Sequence, residues 1–93
     1  MKKKTRSHAV ISGMVQGVFF RMETKREADN TGVFGWVRNR SDGTVEAVFE
    51  GDEDLVISMI EWCKKGPALS HVTRVDVQWN EFQDEFDRFE ITY

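Results

Sequence analysis

The sequence predicts an α+β domain in which two helices lie on one face of an antiparallel sheet. Three observations lead there. Short apolar runs and two stretches of helical period follow one another as β-α-β-β-α-β, with one more strand behind them. The middle strands are separated only by Ser41-Asp42-Gly43, a turn signal that sets them side by side as a hairpin. Right-handed crossovers then carry both helices to one side, giving a split βαβ sandwich of the ferredoxin-like kind with an extra C-terminal strand. Ninety-three residues, 40% of them apolar, make a single domain over residues 1–93.

Strand one covers roughly residues 5–13, where Val10 and Ile11 supply β-branched bulk. The first helix runs from residue 20 or 21 to residue 30. Phe20, Thr24, Ala28 and Thr31 recur at steps of four, four and three on one face, and Gly32 is placed to close the helix. Strand two is residues 33–39, in which Phe34 and Trp36 alternate with Gly35 and Val37, so both faces are partly covered. Strand three is residues 44–50: Val45, Ala47 and Phe49 face one way, Glu46, Val48 and Glu50 the other, as in a half-buried strand. Acids open the second helix at Asp52-Glu53-Asp54, where they are expected to cap its amides and meet its dipole. Its apolar stripe is Leu55, Met59 and Trp62 flanked by Val56, Ile60 and Cys63, and Lys64-Lys65 followed by Gly66-Pro67 ends it. Strand four spans residues 72–79, with Val75, Val77 and Trp79 on one face. Phe89, Ile91 and Tyr93 then alternate with polar neighbours as a last strand.

Composition narrows the function. A net charge of −3 argues against nucleic acid as a partner, and the basic cluster of Lys2, Lys3, Lys4 and Arg6 reads as a solvated end. One cysteine, Cys63, forms no intrachain disulfide, which points to a reducing cytoplasm, and its place on the helix stripe makes it a small core residue. No apolar stretch is long enough for a membrane span. Paired metal-ligand spacings and a Gly-x-Ser-x-Gly elbow are missing. His8 and His71 stand without ligand partners and read as structural or surface residues. The carboxylates at the start of helix two and along residues 81–87 read as solvated faces.

The chemistry gathers between strand one and helix one. Gly13 and Gly17, four residues apart, let the backbone take positive φ and turn its N–H groups toward one point. Such a loop, entering a helix N-terminus with Arg21 beside it, suits an oxyanion because amides and dipole agree in sign. No Lys-Ser/Thr follows the second glycine, so the loop is not the nucleotide-binding kind. On this geometry alone it is equally a tight turn with a surface arginine. Asn39, at the end of strand two, adds the second group. Arginine clamps phosphate oxygens through two parallel hydrogen bonds, whereas an asparagine cannot take a proton but holds a water in line with phosphorus. That pair suffices only where the leaving group needs no proton, as with the carboxylate of an acyl phosphate.

At these residues the chain resembles the acylphosphatase family. The pattern Gly13-x-Val15-Gln16-Gly17-Val18-x-Phe20-Arg21, followed by Gly32-x-x-Gly35-Trp36-Val37-x-Asn39, is similar to that family's signature. The likeness continues through Asp42-Gly43-Thr44-Val45-Glu46 to Phe89-Glu90-Ile91-x-Tyr93. It implies a small monomeric cytoplasmic hydrolase that splits an acyl phosphate into carboxylate and inorganic phosphate without metal or cofactor. By motif position, Arg21 would bind the phosphoryl group and Asn39 the attacking water. The backbone amides of Val15, Gln16, Gly17, Val18, Phe19 and Phe20 would form the cradle. The chain departs from the family at Thr31, where a leucine is common; that position bears on packing, not on chemistry. Two other classes stand beside this reading. One is a domain of the same fold that binds an anion or a protein without turnover. The other is an RNA-binding module, whose basic and aromatic strand pattern is missing from the acidic Val45–Glu50 run.

Overall fold

The computed structural model describes residues 3–93, so Lys2 of the basic cluster lies outside the described residues. The elements are β1 (Lys4–Met14), α1 (Phe20–Thr31), β2 (Phe34–Asn39), β3 (Val45–Asp52), α2 (Glu53–Lys65), β4 (His71–Asn80) and β5 (Phe89–Ile91). They form one sheet in the order β4-β1-β3-β2-β5. Registers such as Ala9 opposite Ala47 and Val77 put the residues expected on one face of β3 and of β4 on the same side of the sheet, although Trp79 at the end of β4 is 50% exposed. That side carries α1 and α2, as expected of the ferredoxin-like arrangement.

Both helices form where their apolar spacing puts them. Phe20, Thr24 and Ala28 of α1 are buried, and Gly32 ends the helix in the left-handed region with its N–H on the Ala28 carbonyl. In α2 the buried residues are Val56, Met59, Ile60 and Cys63, while Leu55 and Trp62 line the margin of the core. Trp62 meets the Phe20 ring edge-on at 5.8 Å, which joins the two helices. The expected acid cap on α2 is corrected: Asp52 makes no side-chain cap bond. Its carboxylate takes the Lys4 ammonium at 3.4 Å, and the Lys3 carbonyl accepts the Glu53 amide instead. The hairpin turn closes as predicted. Thr44 donates to Asp42 through its hydroxyl at 2.6 Å and its amide at 3.0 Å, and these bonds hold the Asp42 carboxyl below its ordinary value.

Two expectations about the sheet change. It is mixed, because β5 runs parallel to β2, with Gly35 opposite Phe89. And β3 is covered on both faces at its end, where Val48 and Glu50 are buried as fully as Val45 and Phe49. One cause explains both. Residues 81–88 cross the face away from the helices and reach the start of β2, so the strand that follows can only lie alongside it in the same sense. Glu50 holds this strap down, accepting the amides of Gln83 and Glu85 at 2.7 and 3.0 Å and the Arg6 guanidinium at 3.3 Å. Arg6 also pairs with Glu85 and lies against the Phe86 ring, so it is a tether rather than part of a solvated basic end.

Candidate active site

The end of β1 sets up the site. Its register against β4 slips between Ser12 and Gly13, a bulge that swings the chain off the sheet. Gly13 (φ 124°) and Gly17 (φ 73°) both take the positive φ expected of them. At Gly13 a Cβ would run into the His71 carbonyl; at Gly17 the space is open, and only the backbone conformation selects glycine. Phe19 then caps α1 in the left-handed region (φ 65°) without a side-chain bond, a conformation costly for a bulky residue. The first amides of α1 are orphaned by helix geometry. Among the described residues no protein acceptor takes the amides of residues 17–22, so they are available to a bound anion.

Asn39 reaches the same place from the far side of the fold. It ends β2, immediately before the hairpin, and the hairpin is bolted to the loop by Gln16. The Gln16 amide nitrogen donates to the carbonyls of Arg40 at 2.8 Å and Thr44 at 2.9 Å. A cleft of about 470 Å³ results, lined by Val15, Gly17, Phe19, Phe20, Arg21, Met22, Asn39, Ile91 and Tyr93. Six of the eight residues expected from sequence meet there. The other two do not line it: the Gln16 side chain is spent on the hairpin, and Val18 packs against the core beside a neighbouring groove. Sequence reasoning did not find Met22, Ile91 and Tyr93 at the site. Met22 had a signal, being one residue past Arg21 in the first turn; Ile91 and Tyr93 depend on the parallel pairing of β5.

Charge and hydrogen bonding leave the site unsatisfied on its own. Asn39 lines the cleft, and its Oδ1 is buried with no hydrogen-bond partner among the described residues, a costly state for an acceptor. Arg21, in the first turn of α1, has no carboxylate partner among the described residues; its guanidinium lies 5.5 Å from the centre of the Tyr93 ring. Free amides at a helix N-terminus beside an arginine can bind a tetrahedral oxyanion, and the Asn39 side-chain amide at the cleft wall can hold a water.

Other reactive groups lie elsewhere. His8 bonds Glu46 at 2.6 Å on the face away from the helices, and His71 is exposed at the start of β4. Burial pushes the Cys63 thiol up to about 12, which leaves it protonated and unreactive. Among the described residues, no group of three or more His, Cys, Asp or Glu side chains is placed to hold a metal ion. Nor is any helix among them long and apolar enough to cross a membrane.

Comparison with known proteins gives a consistent result. A family model described as Acylphosphatase matches residues 7–91. A protein named acylphosphatase from Syntrophobacter fumaroxidans is 56% identical over 90 residues, covering 97% of this chain and 93% of that one. Another of that name from Pelotomaculum thermopropionicum is 49% identical over 90 residues, covering 97% and 98%. The crystal structure of acylphosphatase from Bacillus subtilis matches the fold with a TM-score of 0.91 at 38% identity, over 96% of this chain and 99% of that one.

Proposed function

The chain belongs to the acylphosphatase family, and on that premise we propose that it hydrolyses acyl phosphates with Arg21 and Asn39 as its catalytic residues. Amides of residues 15–20 hold the phosphoryl oxygens at the positive end of α1. Arg21 adds two parallel charge-assisted hydrogen bonds and offsets the charge carried by the loose transition state. The Asn39 side-chain amide hydrogen-bonds a water and aims its oxygen at phosphorus. The new bond forms from water oxygen to phosphorus as the bond from phosphorus to the acyl oxygen breaks. The carboxylate leaves with that electron pair, and being a weak base it leaves unprotonated. The water's proton passes to a phosphoryl oxygen, so the products are a carboxylate and dihydrogen phosphate. The domain over residues 1–93 acts as a monomer in a reducing cytoplasm; what supports the compartment is the lone, buried Cys63.

One observation carries the assignment of roles: Asn39, whose Oδ1 has no hydrogen-bond partner among the described residues, lines the same cleft as Arg21, which has no carboxylate partner among them. The experiment is hydrolysis of benzoyl phosphate, with chelator present, by wild type, Asn39→Ala and Arg21→Ala. Asn39→Ala is expected to lose kcat by about 10²–10³-fold while inorganic phosphate still inhibits competitively. Arg21→Ala is expected to lose about 10³-fold in kcat/KM together with its affinity for phosphate. An unchanged kcat in Asn39→Ala removes the water-holding role. Phosphate binding by wild type without turnover would instead favour a binding domain of the same fold.

A further inference from the structure

A second concavity of about 370 Å³ opens beside the phosphoryl cleft. Val18, Phe19 and Met22 form one wall, and Pro67, Ala68 and Leu69 of the α2–β4 connection form the other. The two concavities share Phe19 and Met22, so they adjoin at those two side chains. The surface here is unusually apolar: Phe19, Met22 and Leu69 are 61%, 54% and 65% exposed. Large apolar groups left in water around a charged site call for a ligand that carries an apolar part.

We propose that this groove receives the acyl chain of the substrate and makes the enzyme selective for extended apolar acyl phosphates. The inference rests on the acylphosphatase reading above. Direction supports it. In-line displacement puts the leaving oxygen on the side of phosphorus opposite the attacking water. Asn39, Ile91 and Tyr93 line the cleft but not the groove, which leaves from the Phe19–Met22 edge. A chain attached to the leaving carboxylate is therefore carried away from Asn39 and into the groove. Among the described residues the one charged group lining it is Glu23, paired only loosely with Arg26 at 3.9 Å, and its carboxylate disfavours an acyl chain that ends in a second carboxylate.

Full burial of a methylene is worth roughly fourfold in affinity, and a groove open along one side yields roughly twofold. The test is kcat/KM for acetyl, butyryl and hexanoyl phosphate with wild type, Leu69→Ala and Leu69→Asp. Leu69 is mostly exposed, so both variants should fold. Wild-type kcat/KM should rise about tenfold or more from acetyl to hexanoyl phosphate, chiefly through KM. Leu69→Ala should flatten that rise and Leu69→Asp abolish it, with the inhibition constant of inorganic phosphate held constant in both. Equal kcat/KM along the wild-type series, or a series that Leu69→Asp leaves untouched, would overturn the groove alone. Failure of wild type to hydrolyse all three substrates would overturn the hydrolase reading and the groove with it.

Discussion

Phe19 stores strain at the site. A left-handed backbone costs a bulky residue about 1–3 kcal/mol, and its ring is mostly exposed, so burial does little to offset that. Glycine would relieve the strain but free the unfolded chain, and the two effects oppose each other. Phe19→Gly should thus leave stability within about 1 kcal/mol of wild type in urea denaturation. The inhibition constant of phosphate should rise about tenfold, because the cradle loses its fixed entry into α1. A large gain in stability with unchanged phosphate affinity would show that the strain has no part in binding. Gly13 and Gly17 could be read from sequence because only glycine is indifferent to the sign of φ. Phe19 could not, since nothing in an aromatic residue announces a left-handed backbone. Arg21 and Asn39 were legible as chemistry, but the empty hydrogen-bonding capacity of Asn39 exists only once β2 is folded against the loop.

At the scale of elements, the loop and the β2–β3 hairpin are held as one unit by a single side chain. Gln16 spans them with two bonds to backbone carbonyls, and its loss frees Asn39 to shift relative to the cradle. Gln16→Ala is expected to cost about 1–3 kcal/mol of stability. It should also lower kcat by about tenfold or more, with a smaller change in phosphate affinity, because the cradle survives while the water is misplaced. Equal losses in both parameters would argue for general loosening instead. The helices were legible to within a residue or two, because their apolar faces and terminal glycines are local signals. The parallel β5 and the double burial of β3 were not. Both follow from the path of residues 81–88, whose charged composition hides the anchoring of its backbone by Glu50.

For the molecule as a whole, the face away from the helices is tied by charge. Burial raises the Glu46 carboxyl, but hydrogen bonds from His8 and Arg38 outweigh it and hold the group below its ordinary value of 4.5. A folded value below the unfolded one means that the native state resists protonation. The stabilisation is therefore complete above 4.5 and drains away as the pH falls through the folded value. Glu46→Gln should lower Tm at neutral pH by about 5 °C. Calorimetry across an acid series should find the variant's Tm less steep below 4.5 than that of wild type; parallel curves would remove Glu46 from the acid response. The topology has a consequence in time. β1 comes first in the sequence yet lies between β3 and β4, with Ser7 opposite both Phe49 and Trp79. A chain emerging from the ribosome must carry that strand unpaired until its distant neighbours have been made. Such non-local pairing slows folding relative to a helical bundle, because loop closure is unfavourable until the distant strands meet. The loop between β1 and α1 hangs from the end of that strand, so the proposed phosphate cradle is complete only once β1 is paired on both sides.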